Sequence, residues 1–203
     1  MANNVTIEKV VTSGTFSLDG ETFDVDNNVW IVGDDAQVVV IDAAHDADAI
    51  IAAVGDRKVV ALVLTHAHDD HIDAAGALQQ VTGAPAWLHP DDRMLWDVLY
   101  SEGPQHDLSE GTVVSVGGVD LSALHTPGHS PGGTCLYAPA LGVLFSGDTL
   151  FDGGPGATGR SYSDRPTIEA SIRERLFILP PDTVVHTGHG TDTTIEAEAA
   201  RTW

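Results

Sequence analysis

The pattern of apolar and polar positions predicts strands at the start of the chain, followed by helices, further strands and closing helices. Alternating or β-branched apolar runs predict strands at 6–16, 22–30, 30–32, 37–41, 59–64, 85–89, 112–116, 119–126, 134–139, 142–148 and 183–188. Helical periodicity predicts helices at 46–54, 71–80, 91–100, 167–179 and 194–200. This order indicates two mixed halves, each a sheet with helices on its outer face.

The run at 59–64 is apolar throughout and rich in β-branched valine. Such a run is typical of a strand that is buried on both faces. It leads directly into THAHDDH at 65–71, where we expect Asp69 or Asp70 to cap the following helix. The polar cluster therefore lies on the turn after a buried strand, which is where open α/β sheets bind ligands.

The residue types in this turn are those that bind metal ions, because imidazole and carboxylate are the usual nitrogen and oxygen ligands of zinc, iron and manganese. His66 and His68 are two residues apart on a loop, so both rings can point at one ion. Asp70 and His71 follow at the helix start and must point elsewhere, since the first site would otherwise be overcrowded. One turn is therefore predicted to supply two ligands to each of two metal sites.

Three later stretches repeat the arrangement of a strand followed by a polar turn. His129 lies in TPGHSPGG, Asp148 follows LFSG, and His189 lies in HTGHG. Each is a residue type that binds metals, placed at a strand end beside glycines that allow close backbone approach. These three residues are the further candidate ligands.

The motifs THAHDDH, TPGHSPG, FSGDTLF and HTGHG together resemble the metallo-β-lactamase fold family, in its glyoxalase II-like hydrolase subgroup. They occur in the order of that family and span most of the chain. The resemblance implies an α/β fold of four layers, an αβ/βα sandwich of two mixed sheets with helices on their outer faces. It places the site at one edge, between the two sheets, and we expect a single domain over 1–203.

The resemblance also implies two metal sites that share one bridging carboxylate. The ligands of the first site are His66, His68 and His129. The ligands of the second site are Asp70, His71 and His189. Asp148 bridges the two ions, and Asp70 and Asp148 are the catalytic carboxylates, with Asp70 also orienting the nucleophilic water. The expected cofactors are two divalent ions, zinc first, with iron or manganese as alternatives.

A metallo-hydrolase acting on a thioester of a small thiol is the activity that this resemblance implies. Hydrolysis of a lactone or another ester is an alternative, and so is a mononuclear iron persulfide dioxygenase, which shares much of the motif set. A non-catalytic metal protein is disfavoured, because structural zinc sites are closed by four ligands whereas seven ligands for two ions leave open positions.

One departure from typical glyoxalase II concerns the thiol. The sequence ends at Trp203, shortly after His189, so we expect no C-terminal helical domain with basic thiol-binding residues. We therefore do not expect glutathione to be recognised in the usual manner. The abundance of Ala, Asp, Val and Gly hints at a GC-rich bacterial genome, for which mycothiol is an alternative thiol.

The composition limits the classes of molecule that the protein is expected to bind. The chain has 203 residues and a formal net charge of −21, which repels nucleic acid and anionic membranes. It contains no apolar run of about 18 residues and does not begin like a signal peptide, so we expect a cytoplasmic protein without a membrane span. The expected partner is a small-molecule substrate, and the oligomeric state is left open.

The sequence also predicts positions or roles for several residues outside the ligand set. Asp42 ends a strand beside the site, and the matching aspartate of the family holds the ligand turns; Thr65 is expected to hydrogen-bond them too. His45 is expected at the surface, and Cys135 in the core.

The glycine-rich loop 151–167 carries Arg160 and Arg165, which either order the loop by pairing with a carboxylate or bind an anionic group of the substrate.

Overall fold

The computed structural model describes residues 4–203 and contains two six-stranded sheets and one two-stranded ribbon. The strands are β1 (Thr6–Leu18), β2 (Glu21–Gly33), β3 (Gln37–Ile41), β4 (Lys58–Val63), β5 (Ala86–Leu88), β6 (His106–Asp107), β7 (Val113–Val116), β8 (Val119–His125), β9 (Thr134–Ala138), β10 (Val143–Gly147), β11 (Leu150–Phe151), β12 (Gly154–Pro155), β13 (Val184–Thr187) and β14 (Thr193–Thr194). The α-helices are α1 (Ala47–Val54), α2 (Asp69–Ile72), α3 (Ala75–Thr82), α4 (Arg93–Leu99), α5 (Arg165–Ser171) and α6 (Ile195–Ala199). A 3₁₀ turn at Pro90–Asp92 precedes α4, and a π-helical segment at Ile172–Leu176 follows α5.

Each large sheet combines parallel and antiparallel neighbours. The first has the order β1-β2-β3-β4-β5-β6, antiparallel from β1 to β3 and parallel from β3 to β6. The second has the order β14-β13-β10-β9-β8-β7 and is parallel only between β10 and β13. The predicted mixed sheets are therefore confirmed.

Burial along the central strands explains why the two sheets pack face to face. In β3, Val38 and Val40 contact one apolar cluster, whereas Val39 and Ile41 contact another, since alternate residues of a strand face opposite sides. The second cluster lies between the sheets and includes Trp30, Leu136 and Phe145 together with Val63 of β4. The run at 59–64 is buried on both faces, as its sequence predicts.

Helices cover the outer face of each sheet. Ile50 of α1, Leu78 of α3 and Trp96 of α4 pack in the cluster that contains Val38 and Val40. On the other side, the cluster of the second sheet includes Ile168 of α5 and Ile195 of α6. The layers are thus helix, sheet, sheet and helix, which confirms the expected four-layer sandwich. Within the described residues, no helix is long and apolar enough to cross a membrane.

The predicted helix 71–80 is divided into α2 and α3 in the structure. The backbone groups at the division bond to another segment: the N–H of Ala43 donates to the carbonyl of His71, and the N–H of Ala74 donates to the carbonyl of Ala43. The expected cap was wrong as well, because the N-cap position is His68 and the carboxylate of Asp69 accepts the N–H of Ser17 instead. Tertiary hydrogen bonds thus override the local helical pattern.

Candidate metal centre

Asp42 holds the turn that follows β4. Its carboxylate accepts hydrogen bonds from the backbone N–H of Thr65 at 2.8 Å and from the Thr65 hydroxyl at 2.9 Å. The same carboxylate lies 2.9 Å from Nδ1 of His71. Asp42 thereby fixes the turn and leaves Nε2 of His71 free to face the centre, as such partners of metal-binding histidines commonly do. Asp42 and Thr65 thus lie beside the ligand turn, as the sequence predicts.

The first donor group consists of Nε2 of His66, Nδ1 of His68 and Nε2 of His129. Nδ1 of His68 lies 3.1 Å from Nε2 of His66 and 2.9 Å from Nε2 of His129. All three side chains are largely buried, and their rings come from two turns that are distant in sequence. The structure therefore brings the three predicted ligands of the first site together.

Hydrogen bonds at the far side of two of these rings leave lone pairs facing inward. His129 donates from Nδ1 to the carbonyl of Ala157 at 2.8 Å. Nδ1 of His66 lies 3.2 Å from the Thr65 hydroxyl, which has already donated its proton to Asp42, so the histidine is the donor. Two bare nitrogens thus face Nδ1 of His68, whose single proton can satisfy only one of them. A bound cation satisfies all three.

The second donor group consists of Oδ2 of Asp70, Nε2 of His71 and Nε2 of His189. Nε2 of His71 lies 3.2 Å from that of His189, and each is 3.4 Å from Oδ2 of Asp70. His189 is oriented by a 2.7 Å hydrogen bond from Nδ1 to the carbonyl of Asp26. These spacings match the edges of a tetrahedron, about 3.3 Å, whose donors lie 2.0–2.1 Å from a zinc ion.

Asp148 lies between the two groups. Its Oδ2 is 3.5 Å from Nε2 of His129 and 3.4 Å from Nε2 of His189, whereas Oδ1 is 3.3 Å from Nε2 of His71. A carboxylate in this position can contribute to both sites at once. In all, seven side chains converge, and they are the seven predicted from the sequence.

The charges of the second group favour a cation at its centre. Burial lowers the pKa of His189, but Asp148 and Asp70 outweigh burial and raise that pKa to about 10. Burial likewise lowers the pKa of His71, and the carboxylates of Asp70, Asp148 and Asp42 raise it well above its ordinary value. The carboxylates therefore stabilise positive charge on both rings. A divalent ion bound between the rings would supply positive charge at the same place.

The first donor group, unlike the second, favours neutral imidazole rings. Burial, followed by the neighbouring histidine His129, lowers the pKa of His68 to about 3, and burial holds the pKa of His66 well below its ordinary value. Neutral imidazoles are the form that binds metals. With nitrogen and oxygen donors only, the two groups fit zinc, iron or manganese.

Two residues that support Asp70 were not identified from the sequence. Nδ2 of Asn27 donates to Oδ2 of Asp70 at 2.9 Å, and Nε2 of His45 lies 2.9 Å from Oδ1 of Asn27. The expectation that His45 lies at the surface was wrong, because its side chain is only 4% exposed and its Nδ1 contacts Asp73 at 3.1 Å. The ring occupies space that Gly14 leaves open.

Asp92 joins two ligand turns and was likewise not singled out. Its buried carboxylate accepts hydrogen bonds from the N–H of Ala67 at 3.0 Å, the hydroxyl of Ser130 at 2.8 Å and the N–H of Gly132. Burial raises the pKa of Asp92. The sequence showed this residue only as part of an acidic helix start, because its partners come from the turns of His68 and His129.

The two arginines of loop 151–167 have different surroundings. Arg160 lines a cavity that also contains His68 and His129, while its guanidinium pairs with Glu21 at 2.8 Å. Arg165 pairs with Glu169 at 2.6 Å, one helical turn along α5, and does not line that cavity. The structure therefore brings Arg160, but not Arg165, into the lining of a cavity that contains two of the proposed ligands.

A further group of potential ligands lies at His89, Asp91 and His125. The two imidazole rings are stacked, with centroids 3.9 Å apart and planes at 10°. Lone pairs in parallel planes point alongside one another rather than at one ion.

Cys135 is fully buried, and burial raises its pKa to about 11, which agrees with its predicted role in the core.

Comparison with known proteins gives the family context of this centre. The sequence profile of the metallo-beta-lactamase superfamily matches residues 22–189. The probable metallo-hydrolase YqgX of Bacillus subtilis is 32% identical over 187 residues, covering 85% of this chain and 88% of its own. The hydroxyacylglutathione hydrolase GloC of Haemophilus influenzae is 32% identical over 186 residues, covering 84% and 87%.

Solved structures of the same fold include proteins of several descriptions. The BLEG-1 B3 metallo-beta-lactamase has a TM-score of 0.80 at 30% identity and covers 94% of this chain and 97% of its own. TTHA1623 in a di-iron-bound form has a TM-score of 0.75 at 33% identity, covering 87% and 93%. ETHE1 from Myxococcus xanthus has a TM-score of 0.74 at 27% identity, covering 94% and 82%.

Proposed function

The chain belongs to the metallo-beta-lactamase superfamily, and we propose that it is a dinuclear hydrolase of thioesters formed by a small cellular thiol. The observation that carries this proposal is the convergence of seven ligand side chains into two donor groups, with Asp148 between them. Two bound divalent ions lower the pKa of a shared water and polarise a substrate carbonyl.

The residues of the chain have distinct roles in this proposal. Asp148 would contribute a ligand to both sites. Asp70 would contribute to the second site and would accept a hydrogen bond from the nucleophilic water. Burial raises the pKa of Asp70, but the charge of His71, followed by hydrogen bonds from His189 and Asn27, outweighs burial and brings that pKa to about 2, so the carboxylate is ionised.

Arg160 supports a substrate with an anionic group beside the reacting bond. Arg160 lines the same cavity as His68 and His129, and its guanidinium pairs with Glu21. In a chain with only 9 lysines and arginines against 30 acidic residues, a cation at this position is selective for anions. Carboxylates of a thiol carrier such as glutathione or mycothiol have the required charge, and GloC is named as a hydroxyacylglutathione hydrolase.

The iron persulfide dioxygenase is the second candidate, because ETHE1 from Myxococcus xanthus shares the fold at 27% identity. A mononuclear iron site of the oxygen-activating type needs two histidines and one carboxylate. The complete second group of Asp70, His71 and His189 favours two ions and hydrolysis instead. Lactones and β-lactams are competing hydrolysis substrates, the latter because BLEG-1 is a B3 metallo-beta-lactamase.

A substrate panel on protein loaded with zinc, iron or manganese tests the proposal. The panel contains lactoyl and formyl thioesters of glutathione and mycothiol, an acyl lactone and a cephalosporin. We expect release of free thiol to be the fastest reaction and to disappear on removal of metal with a chelator. Faster turnover of the lactone or the cephalosporin, with no thiol released, overturns the thioester proposal.

A further inference from the structure

A second cavity also reaches His68, and Arg160 is not part of its lining. It lies between the tip of the β1–β2 hairpin and α4, and has a volume of about 310 Å³. We call it the α4 groove and define it by its lining. The polar part of the lining consists of Ser17, Asp69 and the proposed metal ligand His68, and the apolar part consists of Leu18, Ala67, Leu95, Val98 and Leu99.

Two apolar side chains at the mouth of the groove are exposed to solvent. Val98 is 76% exposed and Leu99 is 44% exposed, although both lie in a helix of a strongly acidic protein. Leu95 and Ala67, deeper in the groove, are buried. Five apolar side chains thus line the groove between solvent and His68, and covering them with an apolar ligand is favourable because it removes apolar surface from water.

The walls of the groove are fixed by hydrogen bonds. Both carboxylate oxygens of Asp69 accept the backbone N–H of Ser17 at 3.0 Å, which ties the hairpin to the ligand turn. The hairpin tip is a two-residue Asp-Gly turn with positive φ at Asp19 and Gly20, the geometry that matches strand twist. The groove is thus formed by ordered backbone.

The two cavities share His68 and Leu18 but differ in charge. The first cavity contains Arg160, Ser161 and Ser163, whereas the α4 groove contains no cation and has the carboxylate of Asp69 on its wall. A thioester carbonyl carries two substituents, the thiol carrier and the acyl chain. A polar, anionic carrier fits the side of Arg160, which leaves the α4 groove for the acyl chain.

We propose that the α4 groove binds the acyl group of the substrate and gives the enzyme a preference for extended apolar acyl chains. This inference rests on the proposed thioester hydrolysis and adds the chemical class of the acyl group. The preference arises because each methylene group that enters the groove is removed from water.

Thioesters of one neutral thiol, N-acetylcysteamine, test the inference with acetyl, butyryl and hexanoyl groups on the metal-loaded enzyme. We expect kcat/KM to rise about tenfold or more from acetyl to hexanoyl, since burial of each methylene group favours binding. Val98→Gln should remove most of this rise. Val81→Gln is the matched control, because Val81 is also the penultimate residue of its helix, is 65% exposed and does not line the groove.

The outcomes separate the inference from the function on which it rests. If no thioester of any thiol is hydrolysed, both fall. If thioesters are hydrolysed with a flat or declining dependence on chain length, the function stands and the inference is overturned. A rise that Val98→Gln and Val81→Gln leave equally intact also overturns the inference. So does a concentration-dependent dimer that Val98→Gln dissociates without changing the chain-length profile, which assigns the groove to a second copy. Thermal unfolding of both variants verifies that each is folded.

Discussion

Nδ2 of Asn27 donates to Oδ2 of Asp70 at 2.9 Å, across 43 residues of sequence, and this bond orients a carboxylate of the second donor group. Both side chains are buried, so the bond is shielded from competing water. The contact connects the fold to the chemistry, because the β1–β2 ribbon that carries Asn27 thereby sets the direction of a proposed ligand on the turn after β4.

Asn27→Ala tests this relationship. We expect the affinity of the second site for zinc to fall roughly 10- to 100-fold, which is typical when a group that orients a ligand is removed. The first site should change little, because Asn27 contacts none of its histidines. Titration against a chromophoric chelator resolves the two binding steps. Equal weakening of both steps, or of neither, contradicts the role given to Asn27.

Gly14→Ala tests whether the space for His45 is essential. A Cβ at Gly14 would lie 2.2 Å from Nδ1 of His45, so the ring must leave its position between Asn27 and Asp73. We expect Gly14→Ala to destabilise the protein, and to do so much less when His45 is already alanine. The coupling free energy from this double-mutant cycle, measured by denaturant unfolding, should be about 0.5–3 kcal/mol. If the two changes in unfolding free energy simply add, Gly14 and the His45 ring are independent, which contradicts the prediction.

Asp92→Asn tests the link between the two ligand turns. The carboxylate accepts hydrogen bonds from three donors, and an amide must turn its NH₂ group towards at least one of them. We expect a loss of about 1–3 kcal/mol in the free energy of unfolding, the cost of a buried donor without a partner. Metal binding at the first site should weaken as well, because His129 lies next to Ser130. Wild-type stability and metal affinity in the variant contradict this account.

Arg160→Lys separates the two roles of the loop arginine. If Arg160 binds an anionic substrate group, KM should rise while kcat and thermal stability stay near wild type, because a lysine cannot form the bidentate fork. Glu21→Gln is the matched control, since it removes the partner of Arg160 but keeps the guanidinium. A fall in melting temperature in both variants, with unchanged KM, assigns the arginine to ordering of the loop.

The sequence was most informative where ligands lie at the ends of predicted strands. His66, His68, Asp70 and His71 are neighbours in the chain, so their convergence follows from one local turn. The roles of Asn27 and His45 could not be predicted, because they depend on the register of β1 and β2 and on a glycine that admits an imidazole ring. The division between α2 and α3 was missed for a similar reason, since it depends on hydrogen bonds to Ala43.

Metal content per active chain is the measurement that tests the dinuclear hydrolase most directly. We predict two ions in the fully active wild type and loss of most of both in Asp148→Ala, because that change removes a shared ligand and leaves the repulsion between the ions less compensated. His189→Ala should mainly empty the second site. Elemental analysis of the three proteins, paired with thioester turnover, gives the answer. One iron per fully active wild-type chain, with oxygen consumed when glutathione persulfide is added, contradicts the account and makes the dioxygenase the correct assignment.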